Sequence, residues 1–346
     1  MQIDFISIVE AAWQDYDPSR TVSSISDISA KVSTNHVFRL RLDDDSVVIA
    51  KFSYFGTYED FLEDHSLINA LANNLPAPYD QFLSRSLLKK NRLFTYRHQD
   101  AMLDAWVVFY NPIGVDQLLP KTLDAEQIEI LGGELAHFHK TCFRLRNILP
   151  DWSKTLKSDM IHLLSLLDTD EGKYQHRGTI DQIRQQVDLF DANMEELDAY
   201  ALEAVPVFVD WNIGNFSVTT ETTLHSRWDY DWFRMSSRVL DFYFFSRVCS
   251  TAGDKTVFSY LINPIMEDRF MIFLKAYHAI YPLDRQEILF IKEAYRFFIL
   301  NYVIKHGRYF FHGMYATKLQ REAFEVYFPS LDAGFKPDKL LRALDL

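Results

Sequence analysis

The chain has 346 residues, 48% of them hydrophobic and 15% aromatic, and a formal net charge of −12. That is apolar material enough for a large core or for two lobes sharing a cleft. The acidic balance argues against phosphate backbones and anionic membranes as general partners and is compatible with a cationic substrate. Only two cysteines occur, Cys142 and Cys249, far apart and with no CxxC pair or histidine cluster at metal spacing. This argues against a disulfide framework and a structural zinc and favours a reducing cytoplasm. Asp4 interrupts the first residues, and no long apolar run follows, so no signal peptide is expected. No uncharged stretch approaches the ~20 residues a membrane span needs.

The amino-terminal third reads as a small strand-rich lobe. Phe5, Ile6, Ile8, Val9, Ala12 and Trp13 follow helical spacing between Ile3 and Tyr16. Phe38, Leu40 and Leu42 then alternate with Arg39 and Arg41, Asp43 to Ser46 supplies turn chemistry, and Val47 to Lys51 returns as a strand. A helix is expected from about Tyr58 to Asn73, a strand near Arg92–Tyr96 and a buried strand at Trp106–Tyr110. Asn111-Pro112-Ile113-Gly114 breaks that strand and marks a hinge. Beyond it the chain turns helical. Leu131, Leu135, Phe138 and Cys142 form one stripe, and Pro150 and the polar stretch Asp168–Thr179 punctuate two further helices. Asp241–Ser250, Met266–Tyr281 and Ile288–Phe311 also read as helices. The expected division is a nucleotide-binding lobe over residues 1–111 and a catalytic, substrate-binding lobe over 112–346.

The chemistry concentrates at Asp210-Trp-Asn-Ile-Gly-Asn215 and Trp228-Asp229-Tyr230-Asp231. Two short apolar runs, Phe216–Val218 and Leu224–Trp228, flank a Thr-rich turn and read as a hairpin. A hairpin brings Asn215 and Asp229 together at its open end, with Asp210 on the loop before it. Phosphoryl transfer from a nucleotide needs such an oxygen cluster: one Asp to orient and deprotonate the attacking hydroxyl, and an Asn and a second Asp to hold magnesium on the phosphates. Gly214 suits a tight loop that demands unusual backbone angles.

Asp210 to Asn215, Asp229 and Asp241 together resemble the catalytic segment of the aminoglycoside phosphotransferase and choline kinase group. Leu135-Ala-His-Phe-His139 and Leu75-Pro-Ala-Pro78 resemble further motifs of that group in the same order. The resemblance implies an α+β, bilobal, protein-kinase-like fold with a small antiparallel-sheet amino-terminal lobe and a larger, mostly helical carboxy-terminal lobe. It implies Asp210 as base, Asn215 and Asp229 as Mg2+ ligands, and Asp241 as a support that accepts hydrogen bonds from catalytic-loop amides. Asp241 also reads as a plain helix N-cap. Asp231 is either an auxiliary ligand or a solvated carboxylate. Lys51, after Val-Val-Ile-Ala, stands where kinase-like folds contact the α- and β-phosphates, with Asp64 or Glu63 as its acidic partner. Alone, a lysine ending an apolar strand reads as a solvated edge charge. Ser33-Thr34-Asn35-His36 is the loop over the phosphates, with Asn35 a contact, and Phe109, Tyr110 and Asn111 would meet adenine through their backbone. His137 and His139 lie two apart on a helix, face different sides and read as packing or polar-network residues.

Phe208 departs from the pattern, which has His there. The function implied is an ATP- and Mg2+-dependent phosphotransferase acting on a hydroxyl of a small molecule such as an amino alcohol, a sugar or an amino-acid-like acceptor. The expected location is the cytoplasm, with no nucleic-acid or membrane partner. A catalytically degenerate pseudokinase is the alternative, and phosphorylation of a protein Ser or Thr is a third reading.

Overall fold

Alternation of apolar and charged residues builds the first part of the chain around one antiparallel sheet. The computed structural model describes residues 4–30, 35–54, 56–251 and 259–346. It divides into two units, Met1–Gly114 with Ser226–Trp228 and Tyr309–His312, and Val115–His225 with Asp229–Arg308 and Gly313–Leu346.

In the first unit, helix α1 (Phe5–Tyr16) starts where the Asp4 carboxylate accepts the Ser7 amide at 3.1 Å. Strand β1 (Val22–Asp27) precedes β2 (His36–Leu42) and β3 (Val47–Ser53), and α2 (Tyr58–Asn74) follows, capped by Thr57. A two-residue hairpin, β4 (Leu88–Lys89) and β5 (Arg92–Leu93), leads to β6 (Thr95–Gln99) and β7 (Asp104–Tyr110). The main sheet has the order β1-β2-β3-β7-β6, so β3 is central. Phe38, Leu40 and Leu42 of β2 are buried and Arg39 and Arg41 exposed, as their alternation requires. They share one core with Val9, Trp13, Ala50, Phe52 and Phe109, and burial of each large side chain stabilises this core by about 1.5–3 kcal/mol. The sequence pattern did not predict β1, because Val-Ser-Ser-Ile-Ser-Asp carries only Val22 and Ile25 as apolar residues and forms the sheet edge.

The second unit is mostly helical. Helix α3 (Ala125–Leu145) opens with a capping box in which Asp124 and Gln127 satisfy each other's amides. It buries Leu131, Leu135, Phe138 and Cys142. Helices α4 (Leu156–Leu167), α5 (Asp170–Gln175) and α6 (Ile180–Glu196) follow. Helix α5 lies inside the polar stretch expected to separate two helices; it has no apolar stripe and is started by the Thr169 hydroxyl. Strands β8 (Val205–Val207) and β11 (Arg234–Ser236) pair antiparallel, and β9 (Phe216–Val218) and β10 (Leu224–Arg227) form the expected hairpin. Then come α7 (Phe242–Cys249), α8 (Asp268–Ile280) and α9 (Arg285–Phe298). The helix expected from Ile288 to Phe311 is not continuous. It widens to a π-helix over Ile299–Lys305 and resumes as α10 (Gly307–Phe310), before α11 (Gly313–Glu322), α12 (Phe328–Gly334) and α13 (Pro337–Ala343). Helices α3 and α8 approach so closely at Gly132 that a methyl group there would lie 2.3 Å from the Phe273 carbonyl oxygen.

One buried ion cluster ties α4, β11 and the π-helical run together. Asp159 accepts from Arg234 Nη2 at 2.7 Å and from Lys305 Nζ at 2.8 Å. Burial pushes the Asp159 carboxyl upward, but Arg234 and then Lys305 outweigh it and hold the group well below the usual carboxylate range. Because the folded-state value is depressed, this contribution to stability is complete above the unfolded carboxylate value near 4 and is lost as pH falls toward the folded value. Asp159→Asn removes a carboxylate on which two buried cations converge. We expect a loss of about 3–5 kcal/mol in urea unfolding at neutral pH. The gap between variant and parent should shrink as the medium is acidified below pH ~4.

Candidate active site

Strand β8 delivers the chain into a loop held from behind by one carboxylate. Asp241 is fully buried, and its Oδ1 accepts the backbone amides of Phe208 at 3.0 Å and Val209 at 2.6 Å. Its Oδ2 lies 2.9 Å from His139 Nε2, and His139 Nδ1 lies 2.8 Å from the Tyr277 hydroxyl. In the neutral ring, Nε2–H donates to Asp241 and Nδ1 accepts from Tyr277, which satisfies every polar atom of a buried imidazole. Asp241 precedes α7 without making a side-chain cap bond, so its carboxylate serves the loop and not the helix. His139 belongs to this polar network, whereas His137 is exposed.

The loop itself is bent hard. The Asp210 amide donates to Phe208 O at 2.6 Å, a three-residue turn around Val209, whose φ is +60°. A β-branched residue at positive φ is disfavoured and persists only where surroundings over-determine it; here the Asp241 bonds to the Phe208 and Val209 amides do so. The bend lifts Asp210 off the strand into a half-buried position. Its Oδ1 accepts from the Asn212 amide at 3.3 Å and from the Asn212 carboxamide. Asn212 was not singled out in the sequence, although an Asn two residues after an Asp is a common partner in such a turn. Asn215 precedes β9 directly, with its Nδ2 3.4 Å from Asp210 O.

Beyond β10 and Trp228 stands Asp229, exposed and at φ +67°, accepting the Asp231 amide at 3.2 Å. Asp231 is half-buried. Phe208 lies beneath this segment, 1% exposed, with ring centroids 5.9 Å from Tyr230 and 5.2 Å from Phe233. It also meets Phe138 and Trp211, each at 5.9 Å. The ring thus fills the space under the Asp229–Asp231 turn.

The donors offered by Asn215, Asp229 and Asp231 are all oxygens, with no thiolate or imidazole among them. That set fits a hard cation such as Mg2+, which takes one or two carboxylates and completes its shell with water and phosphate oxygens. Among the described residues, no three His, Cys, Asp or Glu side chains are grouped to hold a metal by themselves.

The remaining candidates belong to the first unit. Lys51 is buried in central β3, opposite Val37 and Val108, and is not the solvated edge charge its position at the end of an apolar run suggested. Glu63 and Asp64 are both half-buried on α2. Tyr110 ends β7, buried, with its hydroxyl 2.5 Å from His65 Nδ1. On either side of it, Phe109 O accepts from the Leu87 amide, and the Asn111 amide donates to Arg85 O. The Asn111 amide expected to meet adenine is therefore engaged by the Arg85–Leu87 segment, and only the carbonyls keep a second lone pair. Asn35 stands half-buried just before β2, and Ser33 and Thr34 lie outside the described residues.

Solved structures share this arrangement of elements. An amicoumacin kinase, hAmiN, in complex with AMP-PNP, Ca2+ and Ami, aligns over 98% of this chain and 97% of its own, with a TM-score of 0.63 and 14% identity. A microcompartment-associated aminopropanol kinase covers 96% of this chain and 99% of its own at TM-score 0.62 and 15% identity. The chain shares the fold of these two kinases. The GDP complex of an aminoglycoside 2'-phosphotransferase-IIIa agrees, over 96% of this chain and 100% of its own, at TM-score 0.57 and 11% identity. No family model and no curated protein sequence matches the chain. Among the described residues, no helix is long and apolar enough to cross a membrane.

The packing of Phe208 gives a direct test of the residue that departs from the motif this segment resembles. Phe208→Ala should cost about 3–5 kcal/mol in denaturant unfolding, because a fully packed ring leaves a cavity. Phe208→His keeps an aromatic of similar shape and adds a hydrogen-bonding edge. Its turnover should stay within about tenfold of the parent, since one net hydrogen bond is worth about 0.5–1.5 kcal/mol.

Proposed function

We propose that this protein is an ATP- and Mg2+-dependent phosphotransferase that moves the γ-phosphate to a hydroxyl of a small molecule. The single observation that carries the reading is the loop strung from Asp241, which presents Asp210 beside Asn215 and ahead of the Asp229–Asp231 turn. The whole-length likeness to a kinase bound to AMP-PNP and to phosphotransferases bound to GDP supports it.

In this reading Asp210 accepts the proton of the acceptor hydroxyl as its oxygen bonds to the γ-phosphorus and the bond to the β-phosphate oxygen breaks, releasing ADP. Asn212 holds the Asp210 carboxylate in orientation. Asp229 and Asn215 would hold Mg2+, which supplies neutralisation of phosphate charge when bound, and Asp231 is an auxiliary oxygen beside them. Lys51, desolvated in β3, supplies positive charge for the α- and β-phosphates, with Asp64 or Glu63 as its acidic partner and Asn35 at the phosphate loop. The lobe boundary falls in the Asn111–Gly114 break, and Tyr110 closes the adenine side through its carbonyl. A nucleotide-binding pseudokinase is the second reading, motivated by Phe208. The close packing of that ring against Tyr230 and Phe233 favours the active enzyme, because it supplies the support that the metal-binding turn needs.

A metabolite-library phosphorylation screen read by ADP release tests the proposal, run beside two variants. Asp210→Asn should abolish transfer, by about 100-fold or more, with Mg-ATP affinity within a few-fold of the parent, because Asp210 acts on the acceptor. Asp229→Asn should lose transfer and also weaken Mg-ATP binding by about tenfold, because a charged metal ligand is gone. Absence of Mg-ATP binding in calorimetry across magnesium and manganese concentrations would refute the proposal, and identical behaviour of the two variants would refute the division of roles.

A further inference from the structure

The antiparallel sheet of the first unit has two unlike faces. Phe38, Leu40, Ala50 and Phe109 point to one side and share the core with α1. The alternate residues lie on the other side, and the strand register sets them in rows. One row runs Val37–Lys51–Val108, and the next runs Ser26–Arg39–Ile49–Tyr110. Neighbouring rows are two residues apart, about 7 Å along the strands.

Arg39 stands out on this face. It is exposed, and its guanidinium makes no hydrogen bond or ion pair among the described residues. Arg41, two residues on, differs, for its Nη2 lies 2.9 Å from Asp45 Oδ1. Both line an open groove of about 510 Å³, together with Ser24, Ser26, Asp45 and Val47. Val37, Val47 and Ile49 are half-buried, so apolar surface lies beside the two guanidinium groups. An apolar floor with few polar groups is the usual composition of a small-molecule site.

In the nucleotide reading, the phosphates lie toward Lys51 and Asn35 and the adenine lies toward Tyr110. Arg39 is level with Tyr110 and one row away from Lys51. Only Ile49 separates Arg39 from Tyr110 across the strands, a span of about 10 Å for two strand spacings. A guanidinium is planar and weakly hydrated, and it stacks on aromatic faces as well as pairing with anions. We propose that Arg39 is a nucleotide-binding residue whose guanidinium stacks on the purine above Ile49, acting on the base and not on the phosphates. The inference deepens the phosphotransferase reading and rests on it for the presence of a nucleotide on this face.

The test compares the parent with Arg39→Ala and Arg41→Ala, which remove the same charge from the same face. Both side chains are exposed, so neither change disturbs the core. Mg-ATP affinity is measured calorimetrically on the full chain, and adenosine affinity by competition with Mg-ATP. Arg39→Ala should weaken ATP and adenosine by the same factor, about 3- to 10-fold. Arg41→Ala should leave both within about twofold. Weaker ATP binding with adenosine unchanged would assign the guanidinium to the phosphates and overturn the inference. Equal effects of the two substitutions, or adenosine that fails to compete at millimolar concentration, would overturn it too. The parent titration is read separately. Mg-ATP binding by the parent that Arg39→Ala leaves untouched would sink this inference alone. Absence of Mg-ATP binding by the parent would sink the phosphotransferase reading and the inference with it.

Discussion

The acceptance of two consecutive backbone amides by the Asp241 carboxylate is the constraint on which the site depends. Hydrogen bonds to a charged acceptor are worth about 1.5–3 kcal/mol each, enough to hold Val209 at positive φ against its steric preference. The bend at Val209 turns the chain off β8, and Asp210, Asn212 and Asn215 take their places from it. Asp241 is itself fixed by His139, and His139 by Tyr277, so α3, α7 and α8 all converge on a single carboxylate. The close approach of α3 and α8 at Gly132 belongs to the same construction, since it brings His139 and Tyr277 within reach of each other. A buried charge is tolerable there because each of its bonds is made.

The sequence made the candidate site residues stand out and left the backbone that positions them unseen. Asp210, Asn215 and Asp229 could be read because carboxylates and carboxamides at the ends of short apolar runs stand out, and the Thr-rich turn announced the β9–β10 hairpin. The positive φ of Val209 gave no signal, for a valine argues against such a conformation until the tertiary bonds that force it are known. The role of Asp241 was open for the same reason: an Asp ahead of a helix looks like an N-cap, and only the fold shows that its oxygens turn to Phe208 and Val209. Burial of Lys51 was likewise invisible locally, because β3 becomes central only once β1 and β7 are placed. Every residue of the π-helical run after Phe298 is buried, so the sequence there has no exposed face whose period could betray the switch from α- to π-helix.

Phe208 illustrates how a departure from a motif is absorbed by packing. Tyr230 and Phe233 flank Asp231 in sequence and lie over the Phe208 ring in space, so the turn that carries Asp229 rests on an aromatic platform.

The central claim, that Asp241 holds the loop from which Asp210 acts, is tested most directly by 31P NMR of ATP incubated with a mixture of small hydroxyl acceptors and either the parent or Asp241→Asn. Asn preserves the side-chain shape but removes the charge and sets an N–H group against either His139 or the loop amides. The account predicts that the parent builds up a phosphate-ester resonance and that the variant, still folded and still binding Mg-ATP, forms the ester about 100-fold more slowly or not at all. Ester formation at the parental rate in the folded variant would contradict it.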